Sequence, residues 1–225
     1  MTQEKAIDNL DKVITKVEFA RLQVSDHHIV QLVGVSKYST SEDIRTLYNA
    51  GQRAFGENKV QDLKEKIEKL EELPLVWHFV GRLQKNKINN LIDLNPTLIQ
   101  SIDSRDLALE LNKKLEAKNK KINCLLQINS SYEESKAGVM PEEAIDIYKE
   151  IIKSCPNINL KGVMSIGAHV EDEDIIKKSF ETTKKIFDEL QPLGAKYCSM
   201  GMSGDFELAI TCGSNMIRVG SSLFK

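Results

Sequence analysis

Residues 31–51 read QLVGVSKYSTSEDIRTLYNAG. The first six, QLVGVS, form an apolar run with no outward polar alternation, the pattern of a strand buried on both faces. TSEDIRTLYNAG (40–51) then carries helix signals at both ends: Ser41 as the expected cap, Glu42 and Asp43 in the first turn, and Gly51 as the stop. Strand, short polar turn, helix: this is one βα unit, and its repetition along the chain decides the fold.

Apolar runs recur at 53–56, 75–81, 97–103, 122–129, 160–167, 195–201 and 215–220, each followed by a helical pattern or the start of one. Between them, Val60, Leu63, Ile67 and Leu70 define one helix face, and Leu107, Leu111 and Leu115 another. A helix is expected from Pro141, with Glu142 and Glu143 beside it. Ile176, Phe180, Thr183, Phe187 and Leu190 line a long one. Ahead of the first unit, Ile7, Leu10, Ile14 and Val17 predict an amphipathic helix. Eight βα units in 225 residues argue for a single (β/α)8 barrel of the TIM type with an extra N-terminal helix, one domain spanning 1–225. A doubly wound open sheet is the alternative, but no GxGxxG follows the first strand.

Composition narrows the function classes. With a net charge of −2, no basic field marks a nucleic-acid or anionic-membrane binder. Cys124, Cys155, Cys198 and Cys212 are scattered and form no CxxC pair, so neither a disulfide framework nor a metal site is expected, and a reducing cytoplasm is the expected location. The N-terminus carries acids and lacks the apolar stretch of a signal peptide.

In such a barrel the site gathers at the C-terminal strand ends. There the sequence places Lys37, Glu57 with Asn58, His78 with Gly81, Asp103, Asn129, Ser165 with Gly167, the loop SMGMSGD (199–205), and Arg218 with Gly220 and Ser221. The loops SMGMSGD and GSS (220–222) put small residues between a strand and a helix start, a composition suited to a phosphate as well as to ordinary turns. Lys37 and Arg218 end strands that are neighbours in a closed barrel. A lysine near a fixed cation in a partly dry pocket becomes a usable amine. An amine beside a phosphate site suits a phosphorylated aldehyde, of which pyridoxal 5′-phosphate (PLP) is one. A surface lysine just past a strand fits the spacing of Lys37 equally well.

Six stretches in order, VSK (35–37), FGEN (55–58), WHFVGRLQKNK (77–87), SKAGV (135–139), SMGMSGDFELAI (199–210) and MIRVGSSLF (216–224), together resemble the pyridoxal phosphate homeostasis protein family over nearly the whole chain. The resemblance implies a barrel like the N-terminal domain of alanine racemase. It implies PLP held as a Schiff base by Lys37, phosphate contacts on Ser203 and the Gly220–Ser221 turn, Arg218 near the pyridine nitrogen, Asn58 flanking the cofactor, and Met200 and Gly201 in the same loop motif. It further implies cofactor buffering or delivery, with PLP-dependent apoenzymes as candidate recipients, and no robust catalysis. Three positions depart from the family pattern: Ser221 replaces a threonine, Tyr38 stands where threonine or valine is frequent, and Lys225 replaces a glycine.

The alternative function is a PLP-dependent amino-acid racemase. It needs two bases, Lys37 and a second opposite it. Tyr38, Tyr132 and Tyr197 are candidates near the rim, but no spacing sets them opposite Lys37. The second domain that supplies this base in alanine racemase is expected to be absent, and the chain is expected to be a monomer. A Schiff-base aldolase would need a proton relay for which Asp103 and Glu57 could be proposed. Among the histidines, His27 and His28 are expected in a solvated turn, His78 in the core or the pocket, and His169 in an acidic loop. KEKIEKLEE (64–72) is expected to be a solvated, ion-paired helix surface.

Overall fold

The computed structural model describes all 225 residues, Met1–Lys225. Eight strands, β1 (Gln31–Val35), β2 (Ala54–Glu57), β3 (Val76–Phe79), β4 (Leu98–Ile102), β5 (Ile122–Ile128), β6 (Ile158–Ser165), β7 (Tyr197–Ser199) and β8 (Met216–Val219), pair in parallel and in sequence order. The ring closes through β1 and β8, with Val33 opposite Arg218. This is the barrel expected above, and the open sheet is excluded.

Nine helices surround it. They are α1 (Gln3–Leu22), α2 (Ser41–Ala50), α3 (Val60–Lys69), α4 (Ile88–Leu94), α5 (Arg105–Ala117), α6 (Ala144–Ser154), α7 (Glu173–Leu190), α8 (Phe206–Thr211) and α9 (Ser221–Phe224). One apolar cluster fills the layer between strands and helices. A smaller one, Val33, Leu98, Leu125, Met164 and Met216, fills part of the barrel's interior.

Several boundaries differ from expectation for local reasons. Thr40, not Ser41, caps α2: its hydroxyl accepts from the Asp43 backbone N–H while the Asp43 carboxylate accepts from the Thr40 N–H, a reciprocal capping box. The helix expected from Pro141 begins at Ala144, because residues 141–143 form turns. After β3 the helical pattern is realised as a 3-10 turn, Lys85–Lys87, followed by the short α4.

The N-terminal helix is present, but its buried face is Ala6, Leu10, Val13, Val17 and Ala20, while Ile7 and Ile14 are exposed. Alanines at both ends of this stripe let α1 lie close against α2, α8 and α9. The larger isoleucines, which dominated the sequence pattern, are turned away. Asn9 Nδ2 donates to the Leu223 carbonyl at 3.0 Å, so α1 braces the seam where β8 and α9 meet β1.

Candidate functional site

The C-terminal rim gathers most of the expected residues. Ser203, in the loop after β7, accepts hydrogen bonds at Oγ from the backbone N–H groups of Gly220 (3.1 Å) and Ser222 (3.4 Å). The two Gly–Ser loops are therefore joined, and two backbone donors converge on one oxygen. Gly201 accepts the Arg218 N–H at its carbonyl (3.0 Å), and Met200, fully buried, donates its N–H to Met216 O (3.1 Å). Gly201 has φ 93°, and an added Cβ would lie 2.8 Å from Phe206 Cα, so both its conformation and its packing require glycine.

Arg218 is 5% exposed. Its guanidinium donates from Nη1 to Ser199 Oγ (2.7 Å) and from Nη2 to the Ser165 carbonyl (2.8 Å). No carboxylate bonds it. Burial pushes its pKa down to about 10, against the pull of the more distant Asp205 charge. It stays cationic at neutral pH, held by neutral acceptors at the ends of β6 and β7, and so retains uncompensated charge for a ligand. Asn58, which follows β2, has a buried Oδ1 with no partner. Its backbone is packed so closely against Gly81 that a Cβ there would fall 1.9 Å from Asn58 O.

Lys37 lies two residues past the end of β1, in a turn, with an exposed side chain. Its Nζ stands 5.1 Å from the centre of the Tyr38 ring and makes no hydrogen bond. The side chain lines a polar cleft of about 600 Å3 between α2 and α3, with Arg45, Asp62 and Lys69. The expected meeting of the Lys37 and Arg218 side chains is not made in this rotamer. The backbone beneath Lys37 is firmly held, however. Ser36 is buried, and its Oγ donates to Glu57 Oε1 at 2.6 Å. Lys66 Nζ donates both to Glu57 Oε1 and to the Ser36 carbonyl.

That pair corrects the expectation for KEKIEKLEE at one position: Lys64–Glu68 and Lys69–Glu65 are the expected exposed ion pairs, but Lys66 is 8% exposed and belongs to the interior, opposite the fully buried Glu57. A lysine in a charged run looks solvated until β2 brings a carboxylate to it. Sequence reasoning also missed Gln100, and it read Ser199 only as the start of the SMGMSGD loop. Both face inward, where Ser199 Oγ donates to Gln100 Oε1 at 2.7 Å. His28, expected to be solvated, contacts the Ser214 carbonyl through Nε2 at 2.8 Å. Of the tyrosines considered, Tyr38 is 88% exposed, Tyr132 is exposed with its hydroxyl on Glu142, and Tyr197 starts β7 and faces the opposite end of the barrel. Asp103 lies 3.6 Å from Arg82.

No helix is long and apolar enough to cross a membrane. The rim's chemistry suits a phosphorylated planar ligand: a Ser203 hydroxyl that accepts from two backbone N–H groups and keeps its own O–H to donate, a buried cation without its own carboxylate, and an unpaired buried amide oxygen.

Comparison with known proteins points the same way. The family model of the alanine racemase N-terminal domain matches residues 15–225. The pyridoxal phosphate homeostasis protein of Helicobacter pylori is 56% identical over 216 residues, 96% of each chain. The human protein of that name is 37% identical over 207 residues, covering 86% of this chain and 75% of its own. Among solved structures, PipY of Synechococcus elongatus with PLP bound is 31% identical with a TM-score of 0.79, covering 93% of this chain and 100% of that one. An alanine racemase of Clostridium difficile, 18% identical with a TM-score of 0.75, shares the fold over 96% of this chain and 56% of its own. The chain belongs to the pyridoxal phosphate homeostasis protein family, built on the alanine racemase N-terminal domain.

Proposed function

We propose that residues 1–225 act as one PLP-binding domain that holds the cofactor reversibly for intracellular PLP homeostasis. The single observation that carries the reading is the pairing of the Ser203–Gly220–Ser222 cup with the buried, carboxylate-free Arg218 on one rim. Ser203 and the Gly220–Ser221 turn would hold the phosphate, Arg218 would face the pyridine nitrogen, and Asn58, Met200 and Gly201 would flank the ring. Lys37 would swing its unbranched stem from the exposed turn and hold the aldehyde carbon as a Schiff base, releasing water. When bound, the cofactor supplies an electrophilic carbon and an electron sink. An arginine beside the ring nitrogen keeps that nitrogen unprotonated and weakens the sink.

Storage or delivery is favoured over racemisation because no second base stands ready. Tyr38 and Tyr132 are exposed, and Tyr197 faces the other end of the barrel. An aldolase reading loses its proton relay: Glu57 is tied to Lys66 and Ser36, and Asp103 lies beside Arg82. In this reading the protein is a cytoplasmic monomer that hands PLP to apoenzymes.

The test is the near-ultraviolet and visible spectrum after incubation with PLP, wild type beside Lys37→Ala. A Schiff-base band that borohydride bleaches, present in the wild type and missing in the variant, is the expected result. No band in either protein overturns the reading of the site. Lys37-dependent racemase turnover overturns the non-catalytic reading.

A further inference from the structure

The barrel is open at its other end. A well of about 590 Å3 lies on the N-terminal face, and every strand, or the turn just before it, contributes to its wall. Its charge is one-sided. Arg53, Lys161 and Lys196 line it, no Asp or Glu does, and none of the three cations forms an ion pair. Arg53 is fixed at the edge. Its guanidinium stacks 4.2 Å from the centre of the Tyr48 ring, and Nη1 donates to Tyr48 O at 2.8 Å. Leu32, Val76 and Leu98 make part of the wall apolar.

The floor supplies an independent pointer. His78 is 4% exposed and lines the well. Its Nδ1 lies 2.9 Å from Gln100 Nε2. The direction of that amide is set from both sides. Its Oε1 accepts from Ser199 Oγ, which itself accepts from Arg218 Nη1. Its Nε2 also reaches Met216 Sδ at 3.3 Å, an acceptor only. His78 Nδ1 is therefore the acceptor, and the neutral ring carries its proton on Nε2, which has no protein partner. Every hydrogen bond from Arg218 to His78 donates in the same direction, so the chain ends with an N–H offered to the well.

We propose that the N-terminal well is a second ligand site, distinct from the rim that holds Lys37, and that it takes a small organic phosphate or carboxylate. The anion would accept from His78 Nε2–H and be neutralised by Lys161, Lys196 and Arg53, with its apolar part against Leu32, Val76 and Leu98. A donor with no acceptor, three cations with no carboxylate, and an apolar wall are what such a ligand satisfies. The proposal does not depend on what binds at the rim.

The test is a titration of the 15N-labelled full chain with phenyl phosphate, and separately with benzoate, at constant ionic strength. With at least one probe, the amides of Asn123, Lys161 and Tyr197 are expected to shift saturably, and the His78 Nε2 proton to move downfield. In the Lys161→Gln/Lys196→Gln variant, whose substitutions fall on side chains with no hydrogen bond to lose, the affinity is expected to fall roughly tenfold or more. Phosphate binding at the rim would be read separately from Ser203, Gly220 and Ser222. With both probes, shifts confined to those rim amides, shifts that do not saturate, or equal affinity in the double variant would overturn the proposal.

Discussion

Lys66 Nζ reaches back to the backbone carbonyl of Ser36, 2.6 Å away. That carbonyl belongs to the peptide immediately before Lys37, so a buried ammonium on α3 fixes the strand exit from which the candidate anchor projects. The same ammonium neutralises Glu57, which is wholly buried.

Removing one partner of a buried pair leaves the other charge uncompensated, which costs about 3–5 kcal/mol. Lys66→Met is therefore expected to lower the urea midpoint by a corresponding amount. Glu57→Gln added to Lys66→Met should recover a large part of the loss, since the buried charge goes with it. Equal loss in the single and double variants would show that packing, rather than charge, holds this corner.

Burial depresses the His78 pKa to about 4 from an ordinary value of 6.5. Between those values the unfolded chain binds a proton that the folded chain refuses. His78 therefore contributes stability that is full above pH 6.5, falls as the pH drops, and is gone below about pH 4. The difference corresponds to about 3 kcal/mol. Between pH 7 and 4 the wild type is expected to lose about that much unfolding free energy relative to His78→Leu. Parallel curves would mean that the ring is charged or solvated in the folded protein.

How much of this was legible follows from where each signal resides. The strands were readable because both faces of a parallel barrel strand are covered, so the apolar run itself marks them. The rim loops were readable because Gly and Ser serve close backbone approach, and Ser203 does meet Gly220. Lys66 was hidden because its burial depends on Glu57, which β2 places beside it. Gln100 was hidden because a barrel interior can be polar where side chains satisfy one another, and its partners Ser199 and His78 lie 99 and 22 residues away. The α1 face was misread because Ala6 and Ala20 pack closely without looking hydrophobic.

Gly81 stands against Asn58 with no room for a methyl group, since a Cβ would lie 1.9 Å from the Asn58 carbonyl oxygen. Backbone must move to admit it. Gly81→Ala is expected to destabilise the fold by about 1–3 kcal/mol and to weaken PLP binding by displacing Asn58. Thermal unfolding and a spectroscopic PLP titration together check both parts. Full retention of stability would show that the Asn58 segment yields easily.

Ser203 separates the phosphate from the rest of the ligand. Its Oγ is the point on which the Gly220 and Ser222 N–H groups converge. Ser203→Ala removes one hydroxyl and one organising acceptor while leaving Lys37 and Arg218 in place. Hydrogen bonds to charged groups contribute about 1.5–3 kcal/mol, so PLP affinity is expected to fall by roughly tenfold to a hundredfold. Pyridoxal, which lacks the phosphate, should bind the variant and the wild type about equally. Both affinities are measurable from the Schiff-base absorbance. An equal loss for the two ligands would place Ser203 in the scaffold of the loop, and an unchanged PLP affinity would move the phosphate to a different part of the rim.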